Sequence, residues 1–143
     1  MNKIETYGYA KELAYLHNWN YTTVVRTHYH LQPHIASDKA ERIIKSGLAS
    51  NVFITVEPDR DYTDRYTKVK RINHMHLLLH LPDYIKNYSI FRRDLASSIG
   101  VNKGAVLEVE PIRNAKQVTQ YVTKHITMAG SHYDYFSNST LNI

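Results

Sequence analysis

The chain has 143 residues, 43% of them hydrophobic and 22% charged, which is typical of a single globular domain with a buried core. It has no cysteine, which excludes disulfides and thiolate metal sites, and no apolar run approaches the length of a membrane span. Lysine and arginine number 18 against 13 aspartates and glutamates, and this net charge of +5 favours a polyanionic partner. The start of the chain lacks an apolar signal core, so we expect an intracellular, cytoplasmic protein with no membrane partner.

The first half of the chain predicts two strands around a helix, after an N-terminal extension over residues 1–18 that includes a short helix over 5–17. β-Branched and aromatic residues predict a strand over Tyr21–Leu31, which Pro33 ends. Ser37–Asp38 predicts the cap of a helix that runs to about residue 50. A second strand is expected over Asn51–Glu57, where Pro58 stops it.

The second half begins with a polar connection over residues 59–68 and a third strand over Lys68–Leu81. The remaining predicted elements are a helix over Tyr84–Ser98 closed by Gly100, a strand over Gly104–Pro111, a helix over Asn114–Met128 and a surface tail over 131–143. The pattern predicts one α+β domain over residues 1–143. It would consist of a single antiparallel sheet of about four or five strands, with the third strand central and helices covering the sheet.

Two histidines on the third strand are the first candidates for chemistry. His74 and His76 alternate with Met75 and Leu77, so both imidazoles project from one face of the strand, with Cα atoms about 6–7 Å apart. Neutral imidazole is a common metal ligand, and this spacing suits two ligands of one ion. A chance pair in a chain with nine histidines is the alternative. His80 shares the face, and we assign it to packing or to support of a ligand.

A third ligand is expected from Glu57, because it ends the strand that should pair with the histidine strand. A carboxylate beside two imidazoles suits Mg²⁺ or Mn²⁺ in an open octahedral site, with the remaining positions left for water and phosphate oxygens. A solvated glutamate at a strand end is the alternative. The residues alone leave both interpretations open.

The predicted final helix carries Tyr121, Lys124 and His125, which lie on one side because residues three and four apart share a helix face. Near a divalent metal, a phenolate can attack a phosphodiester and form a covalent intermediate. A neighbouring lysine can stabilise the charge on the phosphate or the phenolate. An amphipathic helix with an exposed tyrosine and lysine is the simpler interpretation of this segment taken alone.

Together, the His-x-His strand, the preceding carboxylate and the Tyr-x-x-Lys helix resemble the motifs of the HUH endonucleases in type and order. The resemblance covers residues 21–125. Asn73–Leu79 resembles the metal motif of that superfamily, and Tyr121–Lys124 resembles the nucleophile motif of its single-tyrosine rolling-circle replication initiators. Val24–Thr27 lies where their first motif lies but matches it poorly.

The resemblance implies an enzyme that nicks single-stranded DNA at a replication origin, in some cases a hairpin, of a phage, virus or plasmid. Tyr121 would keep the 5′ phosphate, leave a 3′ hydroxyl for synthesis, and later reverse the chemistry to join the ends. The resemblance implies a divalent metal but no nucleotide cofactor, because the phosphotyrosine bond conserves the energy of the phosphodiester. A helicase and a polymerase would come from the host or from separate proteins.

Two alternatives remain open. Asn73–Pro82 also resembles the single-tyrosine transposases of small insertion sequences, whose third metal ligand lies four residues after the nucleophile, where this chain has His125. Glu57 and His125 therefore compete for the third coordination position, and Lys124 and the order of the motifs favour Glu57. The alternative from another class is a non-catalytic nucleic-acid-binding α+β domain, which would need neither a metal nor a covalent adduct.

Basic residues around these motifs are expected to contact DNA phosphates, and some of the 12 tyrosines are available to stack on unpaired bases. Most of the candidates lie close in sequence to the predicted metal and nucleophile motifs. They are Arg26, His28, Lys68, Lys70, Arg71, Arg113 and Lys116.

Overall fold

A computed structural model describes residues 19–63, 70–114, 116–117 and 132–138, and it describes their side chains except at 57–63 and 70–72. The elements are β1 (Tyr21–Arg26), α1 (Pro33–Lys45), β2 (Asn51–Thr63), β3 (Lys70–His80), α2 (Tyr88–Ile99), a short 3₁₀ turn (Lys103–Ala105), β4 (Val106–Pro111) and β5 (His132–Ser137). The strands form one antiparallel sheet in the order β4-β1-β3-β2-β5. The predicted α+β fold with a central histidine strand is confirmed.

One face of the sheet packs against the two described helices and forms the main core. On β3 this helix-covered face carries Met75, Leu77 and Leu79, each 0% exposed. Their cluster includes alternate residues of β2 and the apolar sides of α1 and α2, among them Val52, Ile54, Ala40, Ile43, Leu95 and Ile99. Each fully buried aliphatic side chain contributes about 1.5–3 kcal/mol to folding, so this layer holds β3 firmly in the middle of the sheet.

The other face of β3 carries His74, His76, Leu78 and His80, and we call it the histidine face. Its described part includes an aromatic cluster away from His74. Phe53 stacks on Tyr133 with ring centroids 6.0 Å apart, and Trp19 meets Phe53 and Tyr135 edge-on at 6.5 and 6.2 Å. Aromatic pairs of this kind contribute about 0.5–1.5 kcal/mol beyond their buried area, so the cluster helps to attach β5 to β2.

The last predicted segment differs most from the structure. Residues 131–143 were expected to form a surface tail, but His132–Ser137 form the edge strand β5 and pair with β2 from Asn51 to Val56. The Tyr135 hydroxyl donates to Asn51 Oδ1 at 3.1 Å, which adds a side-chain link to the backbone ladder. The prediction of a tail over this strand is therefore wrong.

Two prolines act differently from the prediction. Pro33 begins α1 rather than only ending a strand, because its fixed φ suits the first turn of a helix and its missing N–H is not needed there. Pro58 lies within β2, which continues to Thr63 instead of stopping. The register is irregular between Glu57 and Pro58, as expected where a proline cannot donate to the ladder.

The helix ends agree only in part with the prediction, because α1 begins at Pro33 rather than after a Ser37–Asp38 cap, and α2 begins at Tyr88 rather than at Tyr84. Asn87 caps α2, because its Oδ1 accepts from the Ile90 N–H at 3.0 Å, and the helix ends at Gly100 with a left-handed φ of 72°. Asn114 Oδ1 accepts from the Gln117 N–H at 3.0 Å, which confirms the predicted cap. No helix among the described residues is long and apolar enough to cross a membrane.

Several predictions fall outside the described residues. These are the helix over residues 5–17, residues 115 and 118–128 of the predicted final helix, and residues 64–68 of the predicted connection before the third strand. The catalytic candidates Tyr121 and Lys124, the alternative ligand His125 and the basic residue Lys68 lie in these segments.

Candidate functional site

His74 and His76 project from the same face of β3, as their spacing predicts. Their ring centroids are 6.3 Å apart, and their planes are inclined by 41°. His76 is 9% exposed, whereas His74 is partly exposed. The pair therefore extends from a buried position toward solvent, and the more open histidine lies nearer the start of β3.

The separation of the rings is compatible with one shared metal ion. With a metal–nitrogen distance of about 2.1 Å, each ring centre would lie roughly 3.2 Å from the ion, so two ring centres can be at most about 6.5 Å apart. The observed 6.3 Å falls just inside that limit. At that separation the two ligating nitrogens would lie almost opposite each other across the ion. Neighbouring positions of an octahedral site need ring centres about 4.5 Å apart, so the rings must turn closer together to share such a site.

Register pairing places two predicted site residues on either side of His74. Arg26 of β1 and Glu57 of β2 are both Cα partners of His74 in the antiparallel ladders. Directly opposed residues of antiparallel strands lie on one face of a sheet, with Cβ atoms about 4.5–5.5 Å apart. Arg26 is exposed, and the side chain of Glu57 is outside the described ones. We call Arg26, His74 and Glu57 the His74 row.

The neighbouring row contains His76 and Thr55, which are Cα partners across β2 and β3. Thr55 is 0% exposed, and within the described part of the chain its hydroxyl has no hydrogen-bond partner. A buried polar group without a partner costs about 1–3 kcal/mol. A water or ligand oxygen held beside His76 would remove that cost, which makes Thr55 a candidate that the sequence analysis missed. The signal was present, because Thr55 is two residues before Glu57 on the same strand.

Asn73 connects β3 to the end of β1, next to the His74 row. It is 5% exposed, and its Nδ2 donates to the Thr27 carbonyl at 3.3 Å, while the Thr27 N–H donates to the Asn73 carbonyl at 3.0 Å. These bonds keep β1 against β3 where the regular pairing of β1 ends. The residue before His74 therefore holds Arg26 and His74 in register.

The remaining predicted DNA-contacting residues lie in different parts of the structure. His28 follows β1 and is exposed, and Arg113 and Lys116 are exposed on either side of the Asn114 cap. The Arg113 N–H donates to Gln117 Oε1 at 2.7 Å, which reinforces that cap. Lys70 and Arg71 belong to β3 before the histidines, and their side chains are outside the described ones.

The third metal ligand has two candidates, Glu57 and His125, and the structure describes the side chain of neither. Among the side chains that the structure does describe, no group of three or more histidine, aspartate or glutamate residues is arranged to hold a metal ion. The choice between Glu57 and His125 therefore stays a prediction.

Comparison of the chain with models of protein families, with curated proteins and with solved structures gave no match in any of the three. We infer function from the residues and from the geometry of the sheet.

Proposed function

We propose that this protein is a metal-dependent endonuclease that nicks and rejoins single-stranded DNA to initiate rolling-circle replication of a phage, virus or plasmid. The observation that carries the proposal is the His74 row, in which three adjacent strands place Arg26, His74 and Glu57 side by side. His76 lies in the next row with its ring centroid 6.3 Å from that of His74. Two imidazoles, a carboxylate position and a guanidinium together suit a phosphodiester with its counterion.

His74 and His76, with Glu57, would hold a Mg²⁺ or Mn²⁺ ion. When bound, such an ion supplies Lewis-acid polarisation of the phosphate to be cleaved. The guanidinium of Arg26 is suited to contact a phosphate oxygen beside the site, since it donates in a planar fork that matches phosphate geometry. The rigid central strand keeps both histidines in place without a mobile loop.

Tyr121 would act as the nucleophile and Lys124 as the residue that stabilises its charge, and both lie outside the described residues. The phenolic oxygen forms a bond to phosphorus, and the bond from phosphorus to the 3′ oxygen of the preceding nucleotide breaks. The phenol proton passes to solvent, and the departing 3′ oxygen takes up a proton from solvent to leave as a hydroxyl. Because the 5′-phosphotyrosine bond keeps the energy of the phosphodiester, the reverse reaction joins the strand without a nucleotide cofactor.

The proposed setting follows from this chemistry. A nicking enzyme exposes a 3′ hydroxyl, but it neither unwinds nor extends DNA. We therefore propose that it acts in the cytoplasm of a host cell, beside a helicase and a polymerase that other proteins supply.

A covalent adduct tests the proposal. The protein is incubated with Mn²⁺ and a pool of single-stranded oligonucleotides that contains candidate origins, and adducts that resist SDS are detected on a gel. Wild type should form an adduct and Tyr121→Phe should form none. Tyr84→Phe is the matched control, because Tyr84 is 82% exposed on the loop before α2, and it should behave as wild type.

Each other outcome contradicts the proposal in a recognisable way. No adduct across the pool, combined with retained DNA binding, would favour the non-catalytic nucleic-acid-binding domain. An undiminished adduct with Tyr121→Phe would mean that another residue is the nucleophile.

A further inference from the structure

A cavity of about 240 Å³ opens at the end of β1, immediately after the residue that pairs with His74. It lies between the chain that leaves β1 and the turn that follows α2. The residues relevant here are Thr27, His28, Tyr29, Val101, Asn102 and Ala105.

The wall of this cavity is bonded directly to the histidine strand. Thr27 exchanges hydrogen bonds with Asn73 through its N–H and its carbonyl, and Asn73 is the residue before His74. The Thr27 hydroxyl donates to the Tyr29 carbonyl at 2.7 Å, which holds the rim in a defined turn. The cavity and the candidate metal site therefore belong to one hydrogen-bonded end of the sheet. Thr27 shares the helix-covered side of the sheet with Val25, so a strand of DNA at His74 must pass around the end of β1 at Arg26 to reach the cavity.

The size of the cavity suits one planar ring system. At about 240 Å³ it is smaller than the roughly 300–1,000 Å³ of pockets that enclose a whole drug-sized ligand. Val101 and Ala105 supply an apolar floor, and Ala105 is 9% exposed. The rim is aromatic, because His28 is exposed and Tyr29 is 47% exposed. Unpaired bases stack on exposed aromatic side chains of this kind.

The polar groups around the cavity also suit a nucleotide chain. Asn102 is exposed at the rim, and its amide both donates and accepts hydrogen bonds, as the edges of bases do. Of the described residues that line the cavity, none is acidic. Exposed cations lie close by. Lys103 follows Asn102, and the Arg42 guanidinium lies beside Gly100, another lining residue. These charges would attract phosphates on either side of a bound base.

We propose that this cavity binds one unpaired base of the single-stranded DNA whose neighbouring phosphate is cleaved at the histidine strand. This inference rests on the proposed function, which it deepens by naming a position where the substrate is held through a base. Arg26, which precedes Thr27 and pairs with His74, would contact the connecting phosphate.

Binding of two oligomers that differ only in their bases tests the inference. The full chain in EDTA, where no cleavage takes place, is titrated into fluorescein-labelled oligothymidylate and into an abasic oligomer of the same length and charge. Tyr29→Ala should weaken binding of oligothymidylate about 5- to 150-fold, because loss of a stacked base costs about 1–3 kcal/mol. It should change binding of the abasic oligomer less than about twofold.

Two variants serve as controls. Tyr84→Ala removes an exposed tyrosine that does not line this cavity and should leave both affinities unchanged. Tyr29→Phe keeps the aromatic ring and should bind oligothymidylate as wild type does. Should Tyr29→Ala lower the melting temperature, Asn102→Leu replaces it. Leucine has nearly the same shape as asparagine but cannot form a hydrogen bond with the edge of a base, so oligothymidylate binding should weaken.

The outcomes separate this inference from the proposed function. Unchanged oligothymidylate binding by Tyr29→Ala, or equal weakening for both oligomers, overturns the base site even where wild type still forms the Tyr121 adduct. If Tyr29→Ala weakens binding of oligothymidylate alone and wild type forms no adduct, the base site is supported and the nuclease is overturned.

Discussion

Glu57 and His74 are direct partners across β2 and β3, at the point where the register of β2 becomes irregular before Pro58. The pairing brings a carboxylate-bearing residue opposite the more exposed of the two histidines. The irregularity arises after Glu57, so the regular ladder extends along β2 up to this candidate ligand.

The pairing predicts that Glu57, rather than His125, supplies the third metal ligand. Glu57→Ala should weaken Mn²⁺ binding by at least about 10- to 100-fold, the loss that even supporting residues of a metal site cause. His125→Ala should bind Mn²⁺ as wild type does. Calorimetric titration of the metal-free protein with Mn²⁺ measures both. The opposite ranking would assign the third ligand to the predicted final helix, which carries His125, and would favour the transposase.

Replacement of His76 should remove cleavage and spare the fold. His76→Ala takes one of two imidazoles from the proposed metal site, and adduct formation should fall below detection. His34→Ala is the matched control, because His34 is exposed on α1, which packs against the opposite face of the sheet. By contrast, Leu77→Ala should lower the free energy of unfolding by about 2–5 kcal/mol, because Leu77 is fully buried in the main core. Adduct gels and urea unfolding separate the two effects, and normal cleavage by His76→Ala would contradict the metal assignment.

The buried Thr55 hydroxyl should lower the free energy of unfolding while it contributes to the candidate metal site. Thr55→Val replaces a buried hydroxyl that lacks a hydrogen bond among the described residues, so the free energy of unfolding should rise by about 1 kcal/mol. The same change should slow adduct formation if the hydroxyl contacts a water or phosphate beside His76. Thr55→Ser keeps the hydroxyl and is the control for activity. A clear loss of stability in Thr55→Val would show that the hydroxyl has a partner in the folded protein.

Lys39 should be the most important lysine of α1 for stability. It is 7% exposed, and its Nζ donates to the Ile99 carbonyl at the end of α2 at 2.7 Å. Lys39→Met keeps the aliphatic stem but removes a charged donor, so the free energy of unfolding should fall by about 1.5–3 kcal/mol. Lys45→Met is the control, because the Lys45 side chain is 64% exposed and its pair with Glu41 contributes less than about 0.5 kcal/mol. Equal losses in urea unfolding would contradict the role of Lys39.

Local patterns in the sequence predicted much of the fold. The alternation of His74 and His76 with Met75 and Leu77 was sufficient to predict a strand covered by apolar packing, because side-chain direction in a strand depends only on a period of two. Gly100 and Asn114 marked helix ends for equally local reasons, a left-handed φ and a side-chain cap.

Other features depended on which strands meet, and that is decided by packing between distant residues. The segment that forms β5 has no clear apolar alternation. It becomes a strand because it pairs with the edge of β2 and because Tyr133 stacks on Phe53. Pro58 lies within β2 rather than ending it, because β3 continues to pair with β2 beyond the shift of register. The cavity beside Tyr29 exists only because the chain after α2 comes to lie against the end of β1. The sequence by itself determined the residue types of the proposed site and the direction in which its histidines project. The tertiary structure decided which residues lie beside them, because strand pairing joins residues that are distant in the sequence.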